Sequence, residues 1–125
     1  MRQNRILLLL SIMVSAVIFA SACDDSGDFG GKNPYLIYTG SNTAMKIMWQ
    51  MTETETCTLE WGTQDGNYDL GMVNTVENSS SLYQHIHSYT ITGLQPGEKY
   101  YYRATGGGIT RTGSFYTAPD ADAAK

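Results

Sequence analysis

The chain is short of the groups that carry chemistry or recognise polyanions. Its 125 residues include two cysteines, two histidines, and eight lysines and arginines against twelve aspartates and glutamates. Two cysteines cannot build a disulfide framework. Two histidines, with no Cys or Asp cluster beside them, fall short of the three or four ligands that zinc takes. The net charge of −4 becomes −6 once Arg2 and Arg5 at the start are set aside. That shortage of positive charge excludes the basic patches by which proteins hold nucleic acid. It also opposes charge-driven binding to anionic lipid heads. The longest apolar run, residues 6–19, is shorter than the roughly 18–20 residues of a membrane-spanning helix. No helical period follows it.

What is present begins with an export pattern. Arg2 and Arg5 supply a positive start, the apolar run follows, and Ala20-Ser21-Ala22 supplies small residues for cleavage, so residues 1–22 read as a signal peptide. Ala20-Ser21-Ala22-Cys23 resembles the lipobox of bacterial lipoproteins, with Ala at the first position where Leu is usual. The resemblance implies that Cys23 is lipid-modified and that the protein is exported and anchored to a membrane of the bacterial cell envelope. One acyl chain holds a protein only marginally, so stable anchoring needs the several chains that bacterial lipoproteins carry. Residues 23–32 are polar and glycine-rich and read as a flexible tether. Residues 33–119 make one small domain, able to bury roughly two thirds of its unfolded surface. Residues 120–125 are a tail or linker.

Within 33–119, short alternating runs separated by turn residues predict strands. Pro34–Tyr38 is a first strand with proline at its start, where it is tolerated. In residues 44–51, Met45, Ile47 and Trp49 share one face. Cys57, Leu59 and Trp61 share a face of the third strand, which makes Cys57 a small buried hydrophobe. Glu53, Glu55 and Glu60 surround it with the wrong charge for a reactive thiol. Residues 68–76 read as an edge strand, 77–81 (ENSSS) as a loop, and 83–91, 100–105 and 109–117 as three further strands. About seven strands with turns every eight to twelve residues predict an all-β, antiparallel, immunoglobulin-like sandwich.

The stretch YTITGLQPGEKYYYRA, residues 89–104, holds three adjacent tyrosines. Period two sends Tyr100, Tyr102 and Ala104 to one face and Tyr101 and Arg103 to the other. Trp49, Trp61, Tyr102 and Phe115 are the expected large core residues. Leu94, Pro96 and Gly97 form the turn, and Tyr100 follows Leu94 by six positions. This spacing is that of a tyrosine corner, in which the phenol hydrogen-bonds the backbone just upstream.

Trp49 with Leu94-x-Pro96-Gly97-x-x-Tyr100 resembles a fibronectin type III domain. The runs His87-x-x-Thr90-Ile91-x-Gly93-Leu94 and Ser114-Phe115-Tyr116-Thr117-Ala118-Pro119 narrow the resemblance. They are similar to the N-terminal domain of purple acid phosphatases and related secreted bacterial metallophosphoesterases. In that family a catalytic domain with a dinuclear metal centre follows, carrying GDxG, GDxxY and GNHE motifs. Neither GDxxY nor GNHE occurs here, and the one GDxG string, residues 27–30, lies in the glycine-rich tether ahead of the sandwich, without the other two motifs. The resemblance therefore implies a chain with no catalytic residue and no cofactor of its own. It would be a truncated gene, a fragment or a stand-alone module that supports or orients a catalytic metallophosphoesterase domain in cis or in trans. The alternative is an independent cell-surface adhesion or glycan-binding module.

The remaining candidates point to surfaces. His85 and His87 share a strand face and read as surface or half-buried residues hydrogen-bonded across strands. Together with Tyr101 and Arg103 they form the candidate interaction surface. Trp61, Tyr68, Tyr83 and Tyr101 offer an aromatic patch. Asp65-Gly66-Asn67 is a turn that lacks the later Glu of a calcium loop, and Gly106-Gly107-Gly108 lacks the lysine and helix of a phosphate loop. Asn78-Ser79-Ser80 fits a glycosylation sequon of little use to a bacterial lipoprotein.

Overall fold

Alternation of period two sets the architecture. In the computed structural model, which describes residues 31–81 and 84–122, eight strands and no helix are found among the described residues. They are β1 (Lys32–Tyr38), β2 (Met45–Met51), β3 (Cys57–Gly62), β4 (Gly71–Thr75), β5 (Glu77–Ser81), β6 (Gln84–Ile91), β7 (Lys99–Gly106) and β8 (Ile109–Tyr116). One sheet has the order β1-β2-β6-β5 and the other β4-β3-β7-β8. Every pairing is antiparallel.

The two inner faces close on one apolar core. Met45, Ile47, Trp49 and Met51 of β2 meet Cys57 and Leu59 of β3, and Tyr100, Tyr102 and Ala104 of β7. Ile91, Leu94 and Phe115 complete it, and Trp61 packs against it while half-buried. β2 and β7 are central in their sheets, and both alternate strictly between buried and half-buried residues. Such a strand has one register that satisfies its core face, since a slip of one residue would turn that face outward.

The edges depart from the sequence expectation. Residues 77–81, expected as a loop, form β5, which pairs with β6 through a register shift between Glu77 and Ser79. The fold thus has eight strands, not about seven. β5 lies at the rim of its sheet and is polar throughout, so no hydrophobic alternation marks it. Residues 71–75 do form an edge strand, β4. β1 starts at Lys32, two residues before the expected strand start at Pro34 and one before the expected domain boundary, and its register shifts between Lys32 and Tyr35. Pro34 lies inside that shift. Proline has no N–H for the ladder and is confined to edges and bulges.

Entry and exit lie at opposite poles. Lys32 pairs with Gln50 near the end of β2, whereas Tyr38 pairs with Met45 at its start. The pole at the start of β2 also receives the end of β8, because Asn42 Nδ2 donates to Asp120 Oδ1 at 2.8 Å. The chain therefore enters at one end of the sandwich and leaves at the other, roughly 25 Å away for strands of eight residues.

Candidate functional site

Three regions hold polar or aromatic groups in defined arrangements. The first is the exit pole. Gly97 has φ 72°, the left-handed conformation that a Pro-Gly turn needs. This turn brings the backbone back over β7, where the amide of Gln95 donates to Tyr100 Oη at 2.8 Å. The Tyr100 ring is 3 % exposed and stacks on Phe115. Beside it, buried Thr117 is a second clamp. Its Oγ1 accepts from the Glu98 amide at 3.0 Å and donates to the Gln95 carbonyl at 2.6 Å. Backbone bonds from Thr117 N to Glu98 O and from Gly97 N to Ala118 O carry the pairing past the end of β8. Leu94 N donates to Thr43 O, tying in the loop of the other sheet. The departing chain is thus held in place as far as Asp120.

The second region is the outer face of the β4-β3-β7-β8 sheet. Arg103 makes a two-pronged contact with Glu60, Nε to Oε2 at 2.7 Å and Nη2 to Oε1 at 2.9 Å. That contact holds the Glu60 carboxyl below its usual range. The guanidinium also lies 4.7 Å from the centre of the Tyr68 ring. Lys99 Nζ sits 4.9 Å from the Tyr101 ring centre and 5.6 Å from that of Tyr116. Cations over ring faces are attracted to the π-cloud. A shallow depression of about 200 Å³ lies beside Tyr101, lined by Asp65, Thr112, Gly113 and Ser114.

The third region is the entry pole, around a histidine pair. Both histidines sit on the inward side of β6, with Tyr89 and Ile91, so they do share a face. His85 is half-buried, and its Nδ1 lies 3.0 Å from Glu77 Oε2 and 3.4 Å from Thr54 Oγ1. His87 corrects the expectation of an interaction surface, for it is 0 % exposed. Its imidazole stacks on Trp49, with centroids 5.5 Å apart and planes at 9°. The Thr75 hydroxyl donates to the Cys57 carbonyl, leaving its oxygen to take the Nδ1–H of His87 at 3.1 Å. His87 Nε2 has no hydrogen-bond partner among the described residues. Burial pushes the imidazole below its ordinary pKa, favouring the neutral form. A cleft of about 550 Å³ opens nearby, lined by Thr54, Glu55, Thr56, Val76 and Glu77.

None of this makes a metal centre. No group of three or more His, Cys, Asp or Glu could hold a metal ion among the described residues. A dinuclear site does not fit this donor set, with one imidazole engaged by Glu77 and the other sealed against Trp49. Cys57 is free and buried, and burial pushes its thiol up, away from reactivity. Asp65-Gly66-Asn67 closes a turn, with Asn67 N bonded to Gln64 O. Gly106-Gly107-Gly108 links β7 to β8. Asn78 is engaged as an acceptor for Ser88 Oγ at 2.6 Å. Cys23, the signal peptide, Tyr83 and most of the tether lie outside the described residues. Thr117 and the clamp it forms were not evident from sequence. Its partners lie about twenty positions away on loop backbone, which leaves no side-chain pattern to read.

Comparison with known proteins bears on this arrangement. A family profile described as "Purple acid Phosphatase, N-terminal domain" matches residues 32–117. No curated protein matches the chain. Among solved structures, a computationally redesigned β-sandwich protein aligns with a TM-score of 0.54 at 18 % identity, covering 72 % of this chain and 95 % of that one. The purple acid phosphatase PPD1 of yellow lupin (Lupinus luteus) seeds aligns with a TM-score of 0.50 at 17 % identity. That alignment covers 69 % of this chain but 19 % of the lupin chain. The structural likenesses establish the sandwich, and the profile establishes the lineage. From Lys32 to Thr117 this chain is a member of the purple acid phosphatase N-terminal domain family, the non-catalytic part of those enzymes.

Proposed function

We propose that the chain is an exported bacterial lipoprotein whose sandwich supports and orients a metallophosphoesterase domain, supplied in cis by a longer parent or in trans. The observation that carries this reading is the clamped exit pole opposite the entry pole. Tyr100, Thr117 and the Asn42–Asp120 bond hold the outgoing chain in one direction, so a domain attached there inherits a fixed orientation. A tether from Cys23 arrives at the far pole, so the sandwich spaces its cargo from the membrane. The docking surface is the exit pole, formed by the turns before β2, before β7 and after β8. Arg103 is already committed to Glu60 and Tyr68, which leaves the pole as the docking surface.

Two experiments test this. The DNA downstream of the codon for residue 125 should contain a GDxG and GNHE reading frame. The purified product of that frame, mixed with this chain, should gain thermal stability, and the gain should fall when Asn42→Ala loosens the pole. The chain alone should not hydrolyse p-nitrophenyl phosphate with iron, zinc or manganese. Metal-dependent turnover by the chain itself would overturn the accessory role. Palmitate labelling that survives Cys23→Ser would overturn the anchor.

A further inference from the structure

The depression beside Tyr101 is the part of the molecule whose lining selects a ligand class. It is lined by Asp65, Tyr101, Thr112, Gly113 and Ser114, and strand alternation sends Tyr101, Thr112 and Ser114 to the outer face of the sheet. The side-chain space at Gly113 is taken from the core side by the ring of Tyr102, so nothing projects from that residue into the depression. Asp65 opposes an anion. Lys99, 4.9 Å from the Tyr101 ring centre, opposes a second cation on the same ring. A wholly apolar ligand would strip water from a carboxylate and two hydroxyls and return no hydrogen bonds. What remains is a neutral molecule with C–H groups on one face and several hydroxyls on its edge.

We propose that this depression binds one pyranose ring of a neutral polysaccharide. The sugar's C–H face lies on the half-buried Tyr101 ring, whose apolar face and polar tip suit an amphipathic ligand. A vicinal hydroxyl pair donates to Asp65, and the hydroxyls of Thr112 and Ser114 bond the remaining edge. Preformed sites of this kind combine an aromatic surface with a few placed polar groups. Tyr116 follows Ser114 by two positions on the same face and is 65 % exposed, so it offers a second ring surface to the next sugar of a chain. Lys99 Nζ lies between the two rings. This activity needs no catalytic partner, and its site lies on the outer sheet face bordering the exit pole, where Gly62 pairs with Tyr101 and Lys99 with Tyr116.

The test is electrophoresis of the full chain through native gels containing xylan, glucomannan or hydroxyethyl cellulose, with alginate as an anionic comparison. Retardation is expected in at least one neutral gel. Tyr101→Ala should abolish it and Asp65→Asn should weaken it about tenfold. Ser114→Lys, at an exposed strand position, should block it while the melting temperature stays within a few degrees. Tyr35→Ala, on the other sheet, should leave it unchanged. Retardation absent from all three neutral gels, confined to alginate, or indifferent to Tyr101→Ala and Ser114→Lys would overturn the proposal.

Discussion

The imidazole of His87 lies flat on the indole of Trp49, 9° from parallel, in the middle of the β1-β2-β6-β5 sheet. It brings a titratable group into the core with one hydrogen bond, to Thr75, and an unpaired Nε2. Protonation would place an N–H there with no acceptor. Of its titratable neighbours, Glu77 favours the protonated form of His87 and His85 opposes it.

Acid sensitivity follows from that geometry. Burial lowers the folded-state pKa of His87 below the ordinary value of 6.5. The unfolded chain then binds more protons than the folded one as the pH drops below about 6.5. Stability is therefore complete above that pH and is lost progressively down to the lower folded-state value. Urea unfolding at steps from pH 7.5 to 5 should show a falling midpoint. His87→Phe keeps a ring on Trp49 and should flatten the dependence over this range. An equal slope in the variant would mean that His87 does not titrate in the core.

Tyr100 gives a sharper test of the exit pole. Tyr100→Phe keeps the stack on Phe115 and removes one oxygen. The Gln95 amide then loses its acceptor in a part-buried site. The expected cost is about 1–2 kcal/mol, the usual penalty for stranding one partner of such a bond. A denaturant midpoint unchanged from the parent would show that water replaces the phenol.

Much of this was legible before any coordinates, and what was legible has a common cause. Trp49, Leu59, Tyr102 and Phe115 lie in strands where apolar and polar residues alternate, and alternation is a direct image of a sheet with one wet face. The Leu94-to-Tyr100 spacing could be read because the corner is local, closing over five positions. β5 could not, since Glu77–Ser81 is polar on both sides at a sheet rim. The inward turn of His87 was within reach. It alternates with Tyr89 and Ile91, while Ser88 and Thr90 take the opposite face, so the strand's apolar end already gave its orientation. The depression beside Tyr101 was out of reach, because it joins the 62–67 turn to β8 across nearly fifty positions.

Gly113 stands opposite Tyr102 across the β7–β8 ladder, and a side chain there would collide with the phenol ring. Gly71 stands in the same relation to Trp61. Each sheet rim gives up a side chain so that a large ring can lie over bare backbone. Neither glycine needs a left-handed conformation, so the ring alone opposes substitution. Gly113→Ala should cost about 1–3 kcal/mol, the range for forcing extra volume into a packed site. Tyr102→Phe in the same chain removes the hydroxyl that lies nearest the added methyl, and should recover part of the loss. No recovery in the double variant would place the strain in the strand backbone.

Cys57 offers a readout of the same core that needs no change of stability. Its Sγ is sealed on one side by Gly106, where even a methyl group would collide with it. Burial raises the thiol pKa, and Glu55 and Glu77 raise it further. Both effects suppress the thiolate, which is the reactive form. In a Cys23→Ser chain, a colorimetric thiol reagent at pH 8 should therefore detect no thiol until guanidinium unfolds the sandwich, and then one equivalent. The reaction rate in the native state would follow opening of the β3–β7 pairing, since Gly106 ends β7 beside the sulfur. His87→Phe, by relieving the acid penalty, should slow that reaction at pH 6 relative to the parent. A thiol that reacts at once in the folded chain would show that the entry pole opens freely, and the sealed core inferred from Trp49, His87 and Cys57 would have to be abandoned.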